Sequence, residues 1–302
     1  MNPGLVHPSA ICESRDLGEG TSVGAFARIA AGARVGRRCH IGSYVCIEGG
    51  MMVEDDVFIA AGVHFSTGFS QAQAGVTDNP IILRRGCRID ANATIAAGVV
   101  VGEQAVVTVG SVVTASVQPF AVVSGNPARV TGFANTEEAA VTPSKLDVRQ
   151  VSVIDSKVRG VRAYELPFIP DPRGNLTVGE FGKDLPFIPQ RYFVTFNVPS
   201  FHLRGEHAHK LCQQFLICVR GSCAVVVDDG SNKEEFLLDR PTFGVYVPPL
   251  VWATEYKHSP DSTLMVFASH HYDPQDYIRD YGEFRKAAAA RSSRPPGSGG
   301  FE

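Results

Sequence analysis

Residues 21–36 read TSVGAFARIAAGARVG, and their pattern decides the fold of the first part of the chain. Val23, Ile29 and Val35 recur every six residues. The phase runs back through Leu17, Ile11 and Leu5, and forward through Ile41, Ile47, Val53, Ile59 and Phe65. After a break it resumes at Leu83, Ile89, Ile95, Val101, Val107 and Val113. Two positions before each stands a residue that is usually small, such as Thr21, Ala27, Ala33, Cys39, Ala93, Ala105 or Ser111. The residue after is often Gly or Ala. This period is neither helical nor that of a simple strand. It predicts a solenoid of very short strands, with the apolar side chain inside and the small one clearing the corner. Gly and small polar residues supply the corner dihedrals.

The repeat resembles that of the hexapeptide-repeat acyltransferases, which are left-handed parallel β-helices, over roughly residues 5–131. The resemblance implies three strands per turn, a trimer, and acyl-CoA lying between neighbouring subunits. Gly125-Asn126-Pro127-Ala128-Arg129-Val130, following Val117-Gln118-Pro119-Phe120-Ala121, matches the closing motif of that family. There the motif lies near the nucleotide end of CoA, which makes Asn126 and Arg129 CoA contacts; a chain-turn cap is the alternative. The break at 66–82, STGFSQAQAGVTDNPII, is loop-like and suited to substrate contacts. His64 at its base points outward, where a histidine could take a proton from a sugar amine attacking a thioester. A surface or trimer-contact histidine is the alternative.

The chain has 302 residues, enough for two domains. Its net charge of −3, from 28 basic and 31 acidic residues, offers no field for nucleic acid. The longest apolar runs are strand-sized, so no membrane span is expected. MNPGLVHPSA at the N-terminus lacks the basic patch and apolar core of a signal peptide, and a cytoplasmic protein is expected. Cys12, Cys39, Cys46, Cys87, Cys212, Cys218 and Cys223 are odd in number and never form a CxxC pair. They read as small apolar residues in a reducing compartment. After the hexads stop, residues 132–157 gain charge, Thr, Ala and Pro143. We expect a β-helix at 1–131, a linker at 132–157, a second domain at 158–286 and a disordered tail at 287–302.

In the second domain, residues 191–198, 213–219, 224–227, 236–238, 243–247 and 264–268 read as short strands, with Asp228-Asp229-Gly230 as a hairpin turn. Such spacing predicts a jelly-roll barrel, so the whole chain is expected to be all-β. Asp273-Pro274 reads as an N-cap with proline in the first turn, opening a helix through Tyr277, Ile278 and Tyr281 towards residues 287–290. At 204–210, RGEHAHK puts His207 and His209 two residues apart. In a strand both leave one face while Ala208 leaves the other. With Gln214 and Gly221 following, the order resembles the first motif of the cupin barrel, its usual Glu replaced by Gln214. Metal-binding cupins add a histidine from a second motif, yet Pro248-Pro249-Leu250-Val251-Trp252-Ala253 contains none. Two imidazoles and an amide form a poor divalent-metal site, so no metal is expected. Histidine's titration near neutrality suits proton abstraction and return instead.

A more specific resemblance follows. RGEHAHK at 204–210, Gly244-Val245-Tyr246-Val247 with Pro249 and Trp252, SHHYDPQDYIR at 269–279, and Asp171-Pro172-Arg173-Gly174 resemble the WxcM-like sugar-nucleotide 3,4-ketoisomerases. The likeness covers about residues 158–286. It implies a dTDP-4-keto-6-deoxyglucose substrate and a dTDP-3-keto-6-deoxyhexose product, galacto preferred to gluco, with no redox cofactor. On it His207 is the leading base at C3, His209 assists or relays protons, and Arg204 stabilises enediolate or phosphate charge. Tyr192 is an acid or a thymine-stacking ring, with a core aromatic as the alternative. Arg173, Lys210, Gln214, Trp252 and Tyr272 are the expected substrate contacts. Glu206 departs from the family's pattern, but strand phase places it outside the barrel.

The two resemblances together imply a bifunctional enzyme of dTDP-3-acetamido-3,6-dideoxyhexose synthesis, which serves bacterial surface polysaccharides such as lipopolysaccharide. The barrel would make the 3-keto sugar, a separate PLP aminotransferase the 3-amino sugar, and the β-helix its N-acetyl derivative with acetyl-CoA as cosubstrate. Trimers of one domain and dimers of the other would allow a hexamer. Two other readings stay open: a sugar-nucleotide-sensing barrel tethered to a transferase, and a 3,5-epimerase fused to one.

Overall fold

A computed structural model describes residues 6–66, 80–138, 150–199 and 202–292. The chain forms two compact units, residues 1–135 and 136–302. In the first, the hexads close as two-residue strands such as Arg28–Ile29, Arg34–Val35 and His40–Ile41. Each pairs in parallel with the strand three hexads on, as Arg28 with Cys46 and Ile29 with Ile47. Three hexads therefore make one coil of a three-faced parallel β-helix.

The hexad residues from Val23 to Val113 are buried, and Ile29, Ile41, Ile47 and Ile59 completely so. The residues two positions earlier share their face and are also buried. Several of these are large: Val45, Met51, Val57 and Val63. They fill the interior as well as clearing the corner. Each fully buried aliphatic side chain contributes about 1.5–3 kcal/mol. Ile11 departs from the pattern at 58% exposed, because its strand is the edge of its face and pairs on one side only.

Glycine after the hexad residue has a steric cause at Gly42. A Cβ there would lie 2.4 Å from the Ala60 carbonyl carbon of the next coil. Of the break at 66–82, residues 67–79 lie outside the described residues. The phase re-enters in register, Ile82 on Met52 and Leu83 on Val53. An antiparallel hairpin, Ala121–Gly125 with Ala128–Phe133, closes the unit, and Val130 and Phe133 pack on its core.

The second unit is a barrel of two sheets. One runs Glu137–Glu138, Lys233–Leu238, Cys223–Asp228, Trp252–Tyr256, Arg204–His209, Tyr277–Ile278. The other runs Ser152–Asp155, Arg162–Glu165, Phe243–Val247, Gln214–Arg220, Thr263–Ala268, Arg191–Phe196. Val225, Val227, Val245, Leu216, Leu264 and Val266 form the dry core between them.

Three expectations need correction. The segment 132–157 is not simply a linker: Phe133 belongs to the β-helix hairpin, and Ser152–Asp155 pairs with Arg162–Glu165 as an edge strand of the barrel. That strand is exposed along its whole length, so its sequence carries no apolar face. The helix expected from Asp273 stops after one 3₁₀ turn, Pro274–Asp276, capped by the Asp273 side chain on Gln275 N. Tyr277–Ile278 then pairs with Ala208 and His209 as a strand, and the helix starts at Tyr281. That helix, Tyr281–Ser292, takes in the first part of the expected tail; residues 293–302 lie outside the described residues. No helix among the described residues is long and apolar enough to cross a membrane.

Candidate active site

The histidine strand does not run straight. A β-bulge at Gly205 and Glu206 sets Arg204 opposite Glu255 and His207 opposite Ala253. Both bulge residues are left-handed, Gly205 at φ +75° and Glu206 at φ +55°. At Gly205 only glycine fits, since a Cβ would sit 2.7 Å from the Ala253 carbonyl oxygen. After the bulge, alternation resumes. His207 and His209 face the barrel interior, while Ala208 and its partner Trp252 face outward under the C-terminal helix.

Each imidazole is held by its Nδ1. His207 Nδ1 lies 2.7 Å from the Gly205 carbonyl oxygen, and His209 Nδ1 lies 2.7 Å from Asp276 Oδ2. Both acceptors require an Nδ1–H donor, so both rings carry their lone pair on Nε2. These two Nε2 atoms face each other at 3.2 Å, with the rings nearly perpendicular. Gln214 Nε2 donates to His209 Nε2 at 3.2 Å. Burial drives both histidines towards the neutral form. It pulls His207 down to about 4, against the Gly205 carbonyl and with help from His209 and Arg279. It also lowers His209, although Asp276 works the other way. Burial would raise Asp276, but His209 and the backbone N–H groups of Leu211 and Cys212 hold it below the usual carboxylate range.

The wall around the pair was only partly legible in sequence. Tyr277 stands against both imidazoles, its ring centroid 4.8 Å from His207 and 4.4 Å from His209. Arg191 Nη2 donates to its hydroxyl at 3.4 Å, and Arg279 lies over its ring at 4.5 Å. Tyr272 stands at the rim, 63% exposed, 5.8 Å from Tyr277 and 5.4 Å from the Arg191 guanidinium. Asp276, Tyr277 and Arg279 lie in the 269–279 stretch that carries the family resemblance, and Arg191 opens a strand, but sequence alone marks none of the four out as a site residue. Only the pairing of Tyr277–Ile278 with Ala208 and His209 brings the first two in.

Several expected residues lie elsewhere. Tyr192 is 67% exposed and leaves the opposite face of its strand from Arg191, so it does not join the histidines. Trp252 packs outside the barrel against Tyr281 and Phe284. Lys210 ties down the 3₁₀ turn, its Nζ on the Gln275 carbonyl at 2.6 Å. Arg173 is clamped to Asp171 by two bonds of 2.9 Å in an exposed loop. Arg204 borders a cavity of about 350 Å³ with Thr195, Asn197 and His202. It also moderates Glu255, whose carboxyl burial pushes up to about 7 with Glu206 adding to the rise. In the β-helix, His64 is exposed on its strand opposite Thr94, and Asn126 and Arg129 are exposed on the closing hairpin.

The donor set does not fit a resident catalytic metal. Such a site has three protein ligands, and here Ala253 stands opposite His207 where a third would be needed. His209, Cys212 and Asp276 do cluster within 4.8 Å. Yet the Asp276 oxygens already accept from His209 Nδ1, Leu211 N and Cys212 N, and those N–H dipoles point their positive ends at any cation there.

A hexapeptide β-helix followed by a cupin barrel with a facing pair of imidazoles defines a two-domain enzyme. The family model "FdtA: WxcM-like, C-terminal" matches residues 159–289. The chain is 44% identical over 119 residues to the TDP-4-oxo-6-deoxy-alpha-D-glucose-3,4-oxoisomerase of Aneurinibacillus thermoaerophilus, covering 39% of this chain and 86% of that one. The chain therefore belongs to the WxcM-like 3,4-oxoisomerase family. It is also 46% identical over 52 residues to a dTDP-3-amino-3,6-dideoxy-alpha-D-galactopyranose 3-N-acetyltransferase of the same organism, 17% of this chain and 27% of that one. Among solved structures it is similar to the 3,4-ketoisomerase QdtA of Thermoanaerobacterium thermosaccharolyticum in complex with TDP. That match has 33% identity and a TM-score of 0.43 over 44% of this chain and 97% of that one.

Proposed function

We propose that the barrel isomerises dTDP-4-keto-6-deoxyglucose to a dTDP-3-keto-6-deoxyhexose, with the galacto configuration at C4. The observation that carries this reading is the Nε2 pair, two neutral imidazoles whose lone pairs meet inside the barrel. The C3 proton is acidic because it lies beside the C4 ketone. His207 Nε2 takes it and the electrons move onto O4, giving an enediolate. The new imidazolium then hydrogen-bonds His209 Nε2, which is backed by the Asp276 charge. A proton returns at C4, the carbonyl re-forms at C3, and the hydroxyl proton lost from O3 is balanced at O4. Tyr277 O–H, set by Arg191, stands beside both imidazoles and is our donor at C4 in place of Tyr192. Arg191 and Arg279 supply positive charge towards the enediolate or the diphosphate. Tyr272 at the rim and Gln214 inside remain the substrate contacts of the expected set; Arg173, Lys210 and Trp252 are held by other parts of the fold, and Arg204 borders a separate cavity.

The β-helix would N-acetylate the matching 3-amino sugar with acetyl-CoA, with Asn126 and Arg129 towards the nucleotide and His64 as the candidate base. A separate aminotransferase would act between the two steps. A trimer-based assembly fits a β-helix of this kind, and a cytoplasmic location fits the nucleotide substrates.

NMR of the keto sugar in deuterium oxide tests the isomerase half. Deuterium should enter at C3 and C4, and His207→Asn should abolish it. Exchange at C5 would mark an epimerase, and binding without exchange a sensor. Acetylation of the 3-amino sugar by the whole chain, lost in Arg129→Ala, tests the other half.

A further inference from the structure

The β-helix carries two aromatic side chains that its core does not use. Phe26 and Tyr44 are 61% and 67% exposed, and their rings stack with centroids 5.3 Å apart, 17° from parallel. Both stand at left-handed corners, φ +58° and +62°, a conformation that costs a bulky residue free energy. The same edge of the prism rises one coil at a time through Gly62 and Asn92. The N–H of Tyr44 donates to Ala25 O, that of Gly62 to Ser43 O and that of Asn92 to Ala61 O. The aromatic column therefore stops at Gly62, whose rung has no side chain. Asn92 overhangs that rung, since a Cβ on Gly62 would lie 2.4 Å from its Oδ1. The Tyr44 and Asn92 backbones are two coils apart, about 9.6 Å. One flat ring in contact on both faces needs about 7–8 Å. The notch over Tyr44 thus has the height of a single heterocycle, and the Asn92 amide offers an acceptor and a donor to its edge.

The exposed area of the two rings is about 250 Å². A subunit contact buries about 800 Å² per side, so the ledge is the size of a small ring and not of a protein partner. His64 leaves the adjoining face two residues after Gly62. The closing hairpin, expected to meet CoA, ends the prism on the far side of His64 from Phe26. That leaves the ledge to the acceptor. We propose that Tyr44, backed by Phe26 and overhung by Asn92, is the stacking site for the pyrimidine base of the nucleotide-linked amino sugar that the β-helix acetylates. The assignment rests on the acetyltransferase reading above and gives its acceptor a base subsite.

The test measures acetyl transfer by the full chain to the dTDP-linked 3-amino sugar. Tyr44→Ala should raise the acceptor KM about 5- to 100-fold, with kcat and the acetyl-CoA KM within twofold of the wild type, and Tyr44→Phe should restore it. A rise confined to the acetyl-CoA KM gives the ledge to the adenine of CoA and overturns the assignment. The 1-phosphate of the same amino sugar has no base, so wild type and Tyr44→Ala should acetylate it equally. A matching deficit on both acceptors marks a structural role only and overturns the assignment. Native mass should be the same in Tyr44→Ala, and a smaller assembly overturns it by making the pair a subunit contact. Equilibrium dialysis of dTDP reads the site without turnover. Two molecules per chain are expected, one in the barrel and one on the ledge, and one in Tyr44→Ala; equal binding overturns the assignment. A wild-type chain that binds two dTDP but transfers no acetyl group sinks the acetyltransferase reading and leaves the base site standing.

Discussion

Asp276→Asn is the perturbation whose effect the geometry specifies most fully. The carboxylate accepts His209 Nδ1 at 2.7 Å and Cys212 N at 3.3 Å on Oδ2, and Leu211 N at 2.7 Å on Oδ1. Asparagine keeps the shape but must turn its NH₂ to one side. Turned towards Leu211, it faces a backbone donor. Turned towards His209, it forces the ring's proton from Nδ1 to Nε2 and removes the lone pair that meets His207. Either way a charge-assisted bond is lost and a donor is left facing a donor, which costs about 2–3 kcal/mol of barrel stability. The flipped tautomer also removes the proposed relay, so exchange at C3 should fall by about two to four orders of magnitude. The assay is deuterium incorporation by NMR across pH, beside a urea midpoint for the barrel. A variant that exchanges within twofold of the wild type, with an unchanged pH profile, would refute the role given to Asp276.

Acid stability follows from His207, which burial holds at about 4 against an ordinary value near 6.5. Between those values the unfolded chain binds a proton that the folded barrel does not. Stability is therefore fully present above pH 6.5 and declines by about 3 kcal/mol as pH falls to 4. Urea midpoints should show that slope in the wild type and a shallower one in His207→Asn. Tyr277→Phe should slow isomerisation about a hundredfold while Tyr192→Phe stays within twofold, measured by product formation; equal effects would return the donor role to Tyr192. Gly42→Ala should cost the β-helix about 3 kcal/mol or more, because the added carbon meets backbone rather than a movable side chain, and calorimetry of the first unit measures it.

The β-helix was legible because one periodic signal carries both strand and corner: the hexad residues and those two before them share a face. What sequence reading missed there was volume, since Met51 and Val57 occupy positions read as small. In the barrel, the i, i+2 rule placed His207 and His209 together without any tertiary knowledge. Residues on other strands needed register. Tyr192 and Arg191 are neighbours in sequence and opposite in facing, and nothing local says which of them looks inward. Trp252 was misplaced for the same reason, as its partner is Ala208 rather than a histidine. The Asp273-Pro274 cap signal was real but short-lived, because Tyr277–Ile278 gains more by completing the sheet beside Ala208 and His209 than by extending a helix.

The two histidines differ in how their state is inherited. His209 depends on a side chain, and a single base change can erase Asp276. His207 depends on a backbone carbonyl, which no substitution deletes. To lose it, the chain must lose the bulge at Gly205–Glu206, whose left-handed turn aims that carbonyl. Mutational drift would thus disable the proposed relay before it disables the proposed base. Variants with residual proton exchange and impaired turnover should outnumber fully inert ones in any library that spares the histidines.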